Sequence, residues 1–71
     1  MAYTFDRYPL VSVITVNYNQ ARVTCELLES LKDISYPNIE VIVVDNHSVE
    51  DDPSIIKKEH SWVKFIENPI N

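Results

Sequence analysis

Two short polar clusters carry the chemistry of this sequence. Asn17-Tyr18-Asn19 ends the apolar run "LVSVITV", and Asp45-Asn46-His47-Ser48 ends "VIVV". An ionised aspartate only accepts hydrogen bonds, so Asp45 suits a pyrimidine ring N–H or a ribose hydroxyl. Each asparagine both donates and accepts, which matches the carbonyl edge of a base. Tyr18 offers a flat stacking face, worth about 1–3 kcal/mol by analogy with base–aromatic contacts. Neither cluster contains lysine or arginine, so the pattern fits a base and ribose better than a diphosphate.

The clusters need a scaffold that brings them together. Leu10 to Val16 is rich in β-branched residues and reads as a strand. Asn19 then suits a helix N-cap. From Gln20 to about Asp33, the spacing of Val23, Leu27, Leu28 and Leu31 draws one apolar stripe along an amphipathic helix, with Cys25 on its flank. Pro37 and Asn38 turn the chain back. Ile39 to Val44 is almost continuously apolar, the pattern of a strand covered on both faces in a parallel sheet. Asp52 suits a cap and Pro53 a first helical position, so a short helix runs to about His60 and buries Ile55 and Ile56. Val63 and Phe65 alternate with Lys64 in a third, less buried strand.

The order β-α-β-α-β implies parallel pairing through right-handed crossovers. The fold class is therefore α/β: half of a doubly wound, Rossmann-like sheet with spatial strand order 3-2-1. In such sheets ligands sit beyond the carboxyl ends of the strands. Asn17, Tyr18 and Asn19 should then lie beside Asp45, Asn46 and His47, with Asn68 and Asn71 at the same edge, all lining one crevice. The nucleotide-binding set expected from this reading is Asn17, Tyr18, Asn19, Asp45, Asn46 and Asn68.

Composition narrows the classes. Seventy-one residues make one small domain, and a chain of that size buries only about 60% of its unfolded surface. A net charge of −5 argues against nucleic acid or an anionic membrane as the main partner. No stretch approaches the roughly 18 apolar residues of a membrane span, and the N-terminus lacks the apolar centre of a signal peptide. One cysteine permits no internal disulfide, and a cytoplasmic setting is expected. Glycine is absent, which removes the Gly-x-Gly-x-x-Gly fingerprint and the glycine-rich phosphate loop.

Competing readings stand beside these. Tyr18 packs over the sheet edge in one, and Asp45 caps the turn after its strand in another. His60, near a helix end, would meet terminal carbonyls. Trp62 and Phe65 read as core or as a patch left bare by truncation, and Lys57-Lys58 as a solvated helix face. Asp45 and His47 alone are a weak metal pair.

"VSVITVNYN", "YPNIEVIVVDNHS" and "ENPIN" resemble the beginning of a family 2 glycosyltransferase of the GT-A fold, over residues 10–71. The Asp-Asn pair and the closing Asn-Pro-x-Asn are similar to the rhamnosyl- and galactofuranosyl-transferring subgroup. The resemblance implies that Tyr18 stacks near the base and Asp45 contacts the base or ribose of a nucleotide diphosphate sugar. Val16, Asn17 and His47 stand where relatives often carry Pro, Thr or Ser, and a small residue. The family's Asp-x-Asp motif, which holds Mg or Mn, and its catalytic carboxylate lie downstream of the matched segment. Asp51-Asp52 begins a helix before strand 3, the wrong place for that motif.

The expectation is thus an irregular lead-in over residues 1–9 and, over 10–71, the N-terminal nucleotide-binding part of a GT-A domain cut after its third strand. By itself it should not catalyse transfer. The alternative is a self-associating α/β module in which the free edge of strand 1 pairs with a second copy as a homodimer. A phosphoacceptor receiver domain fits less well, because Asn17 and Asn68 stand where it needs acids.

Overall fold

A computed structural model describes residues 8–69. The lead-in expected over residues 1–9 lies outside the described residues up to position 7, as does Asn71. Five elements follow in chain order: β1 (Val11–Asn17), α1 (Ala21–Leu31), β2 (Ile39–Asn46), α2 (Ser54–Glu59) and β3 (Lys64–Asn68). The strands form one parallel sheet in the order β1-β2-β3, the expected half of a doubly wound α/β sheet. Asn17 pairs in register with Asp45, and Asn46 with Asn68, so the strand ends converge on one edge.

Each crossover moves the chain one strand in the same direction, and right-handed crossovers then place both helices on the same face. The core accordingly lies on that face. Val41 and Val43 of β2 meet Ala21 and Leu28 of α1, Ile56 of α2 and Val63, with Val13, Cys25, Leu31 and Phe65 packed around them.

This geometry corrects two readings of the apolar pattern. β2 is not covered on both faces among the described residues: its burial alternates, with Val41, Val43 and Asp45 buried and Ile42 and Val44 half-buried. The opposite face of the sheet shows Ile14 (64% exposed), Val16 and Ile66. The buried stripe of α1 is also rotated from the expected one. Ala21, Thr24 and Leu28 point inward, whereas Val23 and Leu27 are exposed. Small residues let the helix approach the sheet, so hydrophobicity alone chose the wrong face at Val23. In α2, Ile56 is buried but Ile55 is exposed, because six residues present only one position to the core.

Candidate functional site at the carboxyl edge of the sheet

The loops after β1 and β2 are joined by a network of side-chain hydrogen bonds. Asn17 closes β1 with a side chain that is 0% exposed. Its Nδ2 donates to Asp45 Oδ1 (2.9 Å) and to Ser48 Oγ (3.3 Å), and its Oδ1 accepts from Thr24 Oγ1 (2.6 Å). Asp45 also accepts from the Ser48 hydroxyl (2.6 Å) and the Ser48 backbone N–H (3.1 Å). A buried carboxylate is tolerable only with such a set of donors. Burial pushes the Asp45 carboxyl up, but the Ser48 and Asn17 donors, with the nearby His47, overcome that and hold it below the usual carboxylate range.

Asn19 does not cap α1; Gln20 occupies that position, without a side-chain cap. Asn19 instead takes the left-handed conformation (φ 51°), which asparagine tolerates better than most residues. Its Oδ1 gathers the backbone N–H groups of Val49 (3.1 Å), Glu50 (2.9 Å) and Asp51 (3.3 Å), and its own N–H donates to Ser48 Oγ (2.9 Å). The missing cap arrives from the other loop: Asp51 Oδ2 accepts from the Ala21 N–H at 2.7 Å. A carboxylate at that end also complements the helix dipole. Asp52 accepts from the Ser54 N–H at the start of α2 (3.0 Å), with Pro53 just before the first helical residue. The adjacent acids therefore serve two different helices and do not fit as a joint divalent-cation site.

Around this braced base the remaining residues differ in access. Tyr18 is 45% exposed, immediately after the β1 strand end. Asn46 accepts from Asn68 Nδ2 across the β2–β3 pair (3.2 Å). His47 is exposed and left-handed (φ 59°), a conformation that histidine adopts more readily than most non-glycine residues. A cavity of about 390 Å³ opens between the β2 and β3 ends, lined by Asp45, His47, Ser48, Asp52, Glu67 and Asn68 among others. Its described lining contains three carboxylates and neither lysine nor arginine, so it offers acceptors for hydroxyl and ring N–H donors, not a grip on phosphate.

The expected residues are thus gathered at one edge, but they do not all line one crevice. Asp45 and Asn68 line this cavity; Asn17, Tyr18, Asn19 and Asn46 do not. Asn17 and Asn19 brace the loops instead. Sequence reasoning missed Thr24 and misjudged Asp51. A lone threonine facing an apolar helix stripe was the available signal for Thr24. Asp51 gave none, because its partner lies 30 positions away.

Residues 12–71 match the model of the family described as "Glycosyl transferase family 2". No curated protein and no solved structure matches the chain. Because the match spans most of its length, the chain belongs to glycosyl transferase family 2, whose activity is the transfer of glycosyl groups.

Proposed function

We propose that this member of the family binds the base and ribose of a nucleotide diphosphate sugar at the carboxyl edge of its sheet, as one part of a glycosyltransferase. Tyr18 stacks on the base. Asp45 accepts a ring N–H or ribose hydroxyl through the cavity it lines, and Asn46 and Asn68 complete the polar rim. Asn17 and Asn19 act from behind, holding Asp45 and the β2–α2 loop. The observation that carries the reading is an exposed Tyr18 one residue past Asn17, whose strand partner is the buried Asp45 with its carboxyl held below the usual range, at strand ends where open parallel sheets receive ligands.

The diphosphate would be neutralised by Mg or Mn held outside residues 1–71, and a separate carboxylate there would act as general base. The 71 residues alone then show no transfer. The Asp-Asn pair and Asn-Pro-x-Asn favour a rhamnosyl- or galactofuranosyl-type donor, with a role in polysaccharide assembly on the cytoplasmic side.

Titration with uridine and thymidine diphosphates tests this. Tyr18→Ala should weaken binding by about ten-fold or more, the loss expected from one base–aromatic stack. Saturable binding unchanged by Tyr18→Ala, or no binding to the folded chain, would overturn it.

A second reading rests on the exposed apolar residues of β1, with Val11, Ile14 and Val16 accessible and Leu10 exposed just before it. β1 is an edge strand of the described sheet, and an apolar edge invites a second copy. In this reading the chain forms a homodimer through β1, and its mass rises with concentration. A strictly monomeric mass up to millimolar concentration would exclude it.

A further inference from the structure

Away from the carboxyl edge, three side chains of different ligand chemistry meet between the helices. Cys25 lies on α1, while Glu59 ends α2 and His60 follows it. One ligand atom from each lies within 4.8 Å of the others. They line a cavity of about 300 Å³ together with Glu29 and Arg22. Cys25 and Glu29 are one turn apart on the same side of α1.

His60 gives an independent reason to look there. It is 1% exposed; its backbone N–H donates to the Ile56 carbonyl of the last turn (2.9 Å), while its ring meets Trp62 and Glu29. Its Nδ1 accepts from the Trp62 indole N–H (3.4 Å), and its Nε2 lies 3.6 Å from Glu29 Oε2, beyond hydrogen-bond length. A buried imidazole nitrogen is therefore held toward a cavity-lining carboxylate at 3.6 Å, longer than a hydrogen bond. Packing explains a buried apolar residue at this corner, but not a buried imidazole beside a thiol and two carboxylates.

We propose that Cys25, Glu59 and His60 form a binding site for a thiophilic divalent cation of the zinc class. Thiolate, imidazole and carboxylate are the donors of tetrahedral zinc sites, whereas magnesium and calcium take oxygen almost exclusively. This cation is distinct from the one proposed for the diphosphate. Binding releases the Cys25 thiol proton to solvent as the sulfur–metal bond forms. At His60 the Nε2 proton leaves, Nε2 takes the metal, and Nδ1 acquires a proton. The Trp62 indole, 46% exposed, then turns away from Nδ1. The site clips the six-residue α2 to α1 and stabilises a small chain that has no disulfide.

Cobalt(II) is the probe, added to the reduced, chelator-treated chain and followed by absorption. The expected result is a near-ultraviolet thiolate-to-cobalt band with tetrahedral-type visible bands, and displacement of both by zinc. Trp62, the single tryptophan, changes its emission over the same titration. Cys25→Ser should abolish the thiolate band. Glu59→Gln, at an exposed position that leaves folding intact, should weaken cobalt binding by at least the roughly ten-fold that losing an outer partner costs. No thiolate band from the folded chain would overturn the site, as would undiminished cobalt affinity in both variants.

Discussion

At the residue scale, the polar clusters do two jobs that their composition did not separate. Residue types alone put Asn17, Asn19 and Asp45 in one binding set. The structure gives the first two to bracing: Asn17 has no exposed surface, and Asn19 Oδ1 is taken by three backbone amides. Asn19→Ala should therefore destabilise the chain by about 1–3 kcal/mol, since the amides lose their acceptor and alanine resists a positive φ. Asn19→Asp, which still accepts, should recover much of that in urea melts. Asp45 makes an acid-stability prediction. Its folded carboxyl titrates below the unfolded value, so its contribution is complete above roughly pH 4 and is lost as pH falls further through the folded value. Asp45→Asn should flatten that acid limb of stability; an unchanged limb would show that Asp45 does not carry it. Side-chain type was legible here, but the direction each side chain faces was not, because it depends on partners about 30 positions away.

At the element scale, the order and kind of all five elements could be read from hydrophobic period and turn residues, and boundaries moved by only a few positions. What could not be read was which face of each element the core would choose. Val23 and Leu27 scored as core by hydrophobicity, yet Thr24 took the inward position because Asn17 needs its hydroxyl. The helix face is directly testable. Leu28→Ala should cost about 2–5 kcal/mol, while Val23→Ala at an exposed position should stay within about 0.5 kcal/mol. Equal costs, measured by chemical denaturation, would restore the original stripe. The N-terminus of α1 illustrates the same lesson. Gln20 at its N-cap position makes no side-chain cap, and the Ala21 N–H is taken by Asp51 from a different loop, so no local capping pattern could announce it.

At the scale of the whole molecule, one fact organises the rest: both helices lie on one side of a three-stranded sheet. That leaves Ile14, Val16 and Ile66 on the other side without cover among the described residues. The continuous apolar run of β2 was a correct record of two apolar faces, but only one of them is covered in the described residues. Ile14→Lys should therefore be well tolerated in folding and should lower any concentration-dependent association; a variant that associates as before would direct the search away from this face. The carboxyl edge, by contrast, is complete enough to be judged. It has a braced carboxylate, an exposed ring and a polar rim, and belongs to a chain of glycosyl transferase family 2. The direct measurement is an amide chemical-shift map of the chain titrated with uridine diphosphate, repeated with thymidine diphosphate. Saturable shifts centred on Tyr18, on Asp45 to Ser48 and on Asn68 are predicted. Absence of saturation with both nucleotides, or shifts centred elsewhere, would contradict the nucleotide site.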